Sequence, residues 1–397
     1  MPGKRHPLPP ELEGVREKAR RALGPVSPAT ENTPADKDFL FNARRTDAGR
    51  KLPPQHLVYF VLADLLGFRD LGRFEKLAWS IPLEFNGRAF LVEHRKFGVG
   101  VFAAGGERDE ADAAKIVNHI HKAVKAARSF FDWLATKAVE DSAVNVRNNS
   151  ASLFERFEYL RDLYLGKAEE AEKRKGERNV TSETNKRGYS WQSISYPAMR
   201  IRTEARWLGL AAIEAFFSWT EHVLIHVGIL CGMLASAGEV AHAAEADWAT
   251  KFKLAFDLSD TRSKELYDEL LRVRKELRNF VAHGSFGKEG EAFDFHSSAG
   301  AVPVRLPDPI GSGTFSFGQS TSFNIESALA SIAEFIPYLW DGPRAPAKIY
   351  VQEYELPLIM TMARDGTYAN AMASIEAMNR FADHLVGAMD IAANMDW

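Results

Sequence analysis

The sequence predicts a mainly α chain, α+β overall, with a helical bundle and a small β insertion in its C-terminal half. An N-terminal α/β module containing a three-stranded meander precedes it. Three stretches carry that expectation. Residues 262–283 place Leu266, Leu270, Val273, Leu277, Phe280 and Val281 three to four apart, the repeat of a helix with one buried face. Residues 197–235 are apolar on most sides, as in a helix enclosed by others. Between residues 81 and 103 the period changes, and Asn86-Gly87 stands between apolar runs, a hairpin-turn signal. A further bend near residues 96–98 supplies the third strand.

A chain of 397 residues has room for two or three domains and a large core. Its formal net charge is −3, so attraction to nucleic acid must come from local patches. Cys231 is the only cysteine, which excludes an internal disulfide framework and a cysteine-based zinc site. The opening MPGKRHPLPPELEG lacks an apolar core and does not read as a secretory signal. The nearest approach to a membrane span, residues 208–235, contains Glu214, Glu221, His222 and His226, all costly in lipid. A cytoplasmic protein with no membrane partner is expected.

Taken in order, residues 1–54 are rich in Pro, Arg and Ala and are expected to form a loosely ordered arm with one short helical pattern. An N-terminal α/β domain is expected over 55–175. It opens with a buried helix over 55–66, and the meander comes next, its Arg88, His94, Arg95 and Lys96 fitting a solvated sheet face or a ligand. A long helix over 107–139 begins with the acidic ERDEAD, which suits a helix N-terminus. Its His119 and His121 are two apart and so do not face each other. Another helix is expected over 150–175. Residues 176–196 are polar and turn-rich and read as an interdomain linker. Their Lys and Arg residues with Tyr189 and Trp191 could instead serve single-stranded RNA.

A helical domain is then expected over 197–397. In its first helix Glu214, Ser218 and Glu221 fall at i, i+4 and i+7, which puts three polar groups on one face. A buried carboxylate needs a partner, and Arg278 or His283 is the expected one. His222 and His226 follow Glu221 without the spacing of a zinc protease site; they read as core or interface histidines. A helix over 239–258 leads to residues 262–283. Beyond them, EAFDFH, AVPVRL and GTFSFGQSTSF alternate between Gly and Pro, a strand insertion from which His296 could reach a site. Helices are expected over 324–339, 350–363 and 368–394, the last Met- and Ala-rich and suited to a buried or dimerising face. Phosphate-loop, nucleophile-elbow and paired-cysteine signatures are absent from the sequence, and no metal or cofactor is expected.

The helix over 262–283 ends in Arg278, Asn279 and His283, followed by Gly284, a residue that readily ends helices. Asn279 and His283 share a ridge, so the carboxamide can orient the ring. The negative helix end raises the affinity of the imidazole for a proton. Arg278 and His283 lie roughly 140° apart on an ideal helix. They converge if the last turn loosens, or if two chains share the site. The alternative reading is a structural helix end, with both side chains complementing the dipole.

The run LRNFVAHG resembles the signature of the HEPN superfamily, over roughly residues 197–341. The resemblance implies an HEPN-like bundle and a metal-independent endoribonuclease, often a toxin or antiviral-defence effector, with its site formed across a homodimer. It also implies an acidic residue on an earlier helix pointing at the motif, here Glu221, with Glu214 as second choice. RNA would be the substrate and an antitoxin or regulatory protein a possible partner. His283 would act as general acid or base. Arg278 would stabilise phosphoryl charge, Asn279 would orient and Glu221 would support. The alternatives are a non-catalytic HEPN-like nucleotide- or RNA-binding or adaptor module, and a structural protein that assembles through its final helix.

Overall fold

The computed structural model describes residues 8–283, 293–298, 300–305, 316–317 and 324–397. The side chains of 279–283, 293–294, 303–305 and 316–317 lie outside that description. Helix accounts for 61 % and strand for 14 %, so the chain is mainly helical with small antiparallel sheets. It divides into two units, one of residues 1–141 with 383–397 and the other of residues 142–382. The second division falls within the final helix, Ile375–Asn394.

The first unit is built on a five-stranded antiparallel sheet. Its centre is the expected meander, Leu77–Phe85, Arg88–Arg95 and Gly98–Ala103. The turn between the first two strands has positive φ at both Asn86 and Gly87, the geometry that matches the twist of paired strands. The short strands Ser27–Pro28 and Arg44–Arg45 add to its two edges. The expected helix over 107–139 is broken at the buried Ala127 into Glu107–Ala126 and Arg128–Glu140.

Over the described residues 8–54 the chain is not the loose arm that the composition of 1–54 predicts; residues 1–7 lie outside the described residues. Helix Glu13–Leu23 packs on Glu107–Ala126, with Ala19 and Leu23 fully buried. The same stretch supplies both edge strands of the sheet. Several of its few apolar residues, among them Leu12, Leu23, Val26 and Phe39, are buried anchors, which average composition conceals.

The meander's basic residues do not form a simply solvated face. Arg88 forks onto Asp109 and Asp112. Arg95 pairs with buried Glu93 at 2.6 Å and lies over the Phe102 ring.

In the second unit, helices Ser150–Lys173 and Pro197–Leu230 lie side by side. Trp219 donates to Ser150 Oγ at 3.0 Å, Phe216 meets Phe157, and Arg202 reaches Glu172. Contacts therefore run down one helix as they run up the other, and the pair is antiparallel. Residues 176–196, expected as an interdomain linker, are a β-hairpin of Asn179–Thr184 and Ser190–Ser195 within this unit. The chain on both sides of it belongs to one core.

The long helix Pro197–Leu230 is the one, among the described residues, long and apolar enough to cross a membrane; 61 % of its apolar window is buried inside the protein. Around it stand Ala237–Glu245, Trp248–Phe252, Thr261–His283 and Ile325–Leu339. An aromatic chain of Phe216, Phe335, Phe252 and Tyr267 joins the long helix to the last three of them. At Gly209 an added Cβ would stand 2.6 Å from Ile325 Cγ2 and 3.0 Å from Tyr164, so three helices approach there through a missing side chain. Beyond the motif helix Thr261–His283, strands Phe293–Ser297, Gly300–Arg305 and Ser316–Phe317 pair as a small antiparallel sheet, where the alternating pattern predicts strands.

Candidate functional site

The motif helix sets the site. Leu266, Leu270, Val273 and Leu277 are all buried, so the apolar stripe read from the sequence faces the core. The opposite face is knit by ion pairs one turn apart, Lys264 with Asp268 and Arg272 with Glu269 and Glu276. Arg278, one residue past Leu277, is exposed and makes no ion pair among the described residues. His283 is the helix's last residue. The side chains of Asn279 and His283, and Gly284 altogether, lie outside the described residues. The motif groups are therefore placed by their positions along the helix.

The acidic residue on the long helix does meet the motif helix, but one turn before the expected place. Glu221 accepts from Arg274 Nη2 at 2.6 Å and from Lys251 Nζ at 3.0 Å. Arg278 is not among its partners. Arg274 precedes Arg278 by four residues, one helical turn and about 6 Å along the axis. Lys251 is buried and Glu221 half-buried. Burial works against the Glu221 charge, but the hydrogen bonds and charges of Lys251 and Arg274 outweigh it and hold the carboxyl below the ordinary glutamate value.

Arg274 also lies 5.6 Å over the Phe217 ring, and its Nη1 is buried without a hydrogen-bond partner among the described residues. Glu221, Lys251 and Arg274 thus form a clamp between the long helix, the short helix Trp248–Phe252 and the motif helix. Beside it, Trp248 donates to Thr220 Oγ1 at 2.9 Å. Glu214 and Ser218 are exposed; of the three polar positions, Glu221 alone turns inward.

His222 and His226 are held by backbone. His222 Nε2 accepts from the Asn149 amide at 3.0 Å, and the two rings lie 4.1 Å apart. Burial, aided by the neighbouring His226, pushes the His222 imidazole down to about 3. His226 is fully buried, with the carbonyls of His222 and Arg147 at 2.9 and 3.1 Å from its two ring nitrogens. Burial lowers its proton affinity too, partly offset by those carbonyls. Both are structural histidines of the core. His119 and His121 point to different carbonyls, Ala22 and Lys51. His296 lies exposed on its strand opposite Ala301. Among the described residues no group of three or more His, Cys, Asp or Glu side chains is placed to hold a metal ion.

The arrangement can do two things chemically. It presents Arg278 to solvent with its donors uncommitted among the described residues, as a phosphate ligand requires. It also ties the motif helix to the long helix at Arg274, one turn before Arg278. Arg274 and Lys251 escaped the sequence reading. The one available signal was that Arg274 shares the ridge of Arg278. No family model, curated protein or solved structure matches this chain.

Proposed function

We propose that the chain is a metal-independent endoribonuclease of the HEPN type, a toxin or antiviral-defence effector whose site is shared across a homodimer. The observation that carries the reading is the position of Arg278: exposed, without an ion-pair partner among the described residues, and five residues before His283 at the end of a core-packed helix. His283 of one chain takes the proton of a ribose 2′-hydroxyl. That oxygen attacks the adjacent phosphorus, the bond to the 5′-oxygen breaks, and the second chain's imidazole returns a proton to the leaving oxygen. The products are a 2′,3′-cyclic phosphate and a free 5′-hydroxyl. Arg278 stabilises charge on the phosphoryl oxygens, and Asn279 orients the ring. Glu221 supports the site through Arg274, one turn before Arg278.

Incubating purified protein with a fluorogenic RNA in the presence of a chelator tests the proposal. Wild type should cleave, and His283→Ala and Arg278→Ala should lose cleavage by about a hundredfold or more. Tight RNA binding without cleavage would assign the chain instead to the non-catalytic binding modules.

A further inference from the structure

The hairpin Asn179–Thr184/Ser190–Ser195 leaves all twelve of its strand residues exposed, although a two-stranded hairpin standing alone in water is marginal at best. We infer that it is a docking platform for single-stranded RNA, stacking bases on Tyr189 and Trp191 and holding phosphate with Lys186, Arg187 and Arg178. The identity of the nucleic acid as RNA rests on the function proposed above; the platform itself rests on the hairpin's own geometry and charge.

The tip is rigidly built. Asn185 Oδ1 accepts from the amides of Arg187 and Tyr189 at 2.9 and 3.0 Å, and Asn185 N–H donates to the Tyr189 carbonyl at 2.9 Å. Gly188 takes the positive φ that the turn requires. Tyr189 stands one residue before the strand and Trp191 within it, and the Asn185–Tyr189 hydrogen bond continues the ladder. Residues two apart in extended backbone set their side chains on one side, about 6.6 Å from each other. Two rings so spaced can each take one of two adjacent, unstacked bases. Tyr189 is 70 % and Trp191 49 % exposed, enough for a base to reach either ring.

The charges fit an anion. Cations on the flanking helix ends are neutralised, Lys173 by Glu169, Lys175 by Glu172 and Arg174 by Glu177. Among the described residues Arg178, Lys186 and Arg187 have no carboxylate partner, in a chain whose net charge is −3. The opposing charge on this face is Glu183, directly across from Trp191. A second copy of the chain fits the surface less well. Only Val180, Trp191 and Ile194 of the twelve strand residues are apolar, too few for the core of a stable dimer interface. A duplex, whose base faces are already stacked, would leave the rings unused.

The test uses the full-length chain carrying His283→Ala, so that binding is read without cleavage, and a fluorescein-labelled oligouridylate followed by anisotropy. The double variant Tyr189→Ala/Trp191→Ala should bind about tenfold or more weakly. Lys186→Gln/Arg187→Gln should weaken binding and flatten its salt dependence by about 1.4 in log–log slope, two phosphates' worth for a single strand. Glu183→Gln should tighten it. Variants that bind like their parent overturn the inference, as does an altered sedimentation coefficient with unchanged RNA affinity, which would make the hairpin a self-association contact. The same hairpin variants with His283 intact separate the two proposals. Hairpin-dependent binding by a chain that never cleaves supports the platform and removes the nuclease. Undiminished binding and cleavage does the reverse.

Discussion

Glu221 and Arg274, fifty-three positions apart in the chain, meet at 2.6 Å and fasten the long core helix to the motif helix. The bond lies one turn below Arg278, so among the described residues the acidic residue meets the motif helix at Arg274 and not at Arg278. That placement changes what substitutions at Glu221 should do. A direct role in the chemistry would make Glu221→Gln fail in turnover with the fold intact. A bracing role makes it fail in stability first.

Removing Glu221 leaves the buried Lys251 ammonium without its carboxylate, together with a half-buried Arg274. Glu221→Leu should therefore cost about 3 kcal/mol, the range for breaking a buried pair by deleting one partner. Lys251→Met alone should cost less, because Glu221 keeps Arg274. The double variant Glu221→Leu/Lys251→Met should recover part of the loss. Chemical denaturation of the four proteins closes the cycle; additive losses would show that the two side chains do not interact.

Gly209 offers a case where two effects oppose each other. Alanine in a helix interior is favoured over glycine by about 1 kcal/mol, yet the new Cβ would meet Ile325 Cγ2 at 2.6 Å. Overpacking of this kind costs about 1–3 kcal/mol, so Gly209→Ala should destabilise on balance. In an Ile325→Ala background, which is itself destabilised by the lost core side chain but has the space cleared, the same Gly209→Ala change should cost less. Melting temperatures decide it, and a stabilised single variant would mean that the helices separate easily there.

The mainly helical class, the meander, the long buried helix and the apolar stripe of the motif helix were legible because each repeats a period over many residues. Leu266 to Leu277 states its face four times. The edge strands Ser27–Pro28 and Arg44–Arg45 are two residues each, too short for any period, so the arm that carries them read as loose. Residues 179–195 are polar on both faces, which is also the composition of a linker; only the cross-strand register from Asn179↔Ser195 to Thr184↔Ser190 distinguishes a hairpin. The choice of Arg274 over Arg278 depends on how far two helices slide past each other, which spacing within either helix does not contain.

His222 gives the pH dependence a sign. Its folded imidazole is held at about 3 against an ordinary 6.5, so between those values the unfolded chain binds the additional proton. Its contribution to stability is complete above pH 6.5 and is lost progressively as the pH falls toward 3. His222→Gln, whose carboxamide oxygen can still accept from the Asn149 amide, should melt with a flatter profile than wild type across that window. Parallel profiles would remove His222 as the source.

The central claim is that Arg278 and His283 together break RNA at a phosphate. Mass spectrometry of the products of a defined single-stranded RNA, incubated with wild type, Arg278→Ala and His283→Ala, tests it most directly. Wild type should give fragments ending in 2′,3′-cyclic phosphate, and neither variant should give any above background. Cleavage that persists in His283→Ala, or products that end in 5′-phosphate, would contradict it.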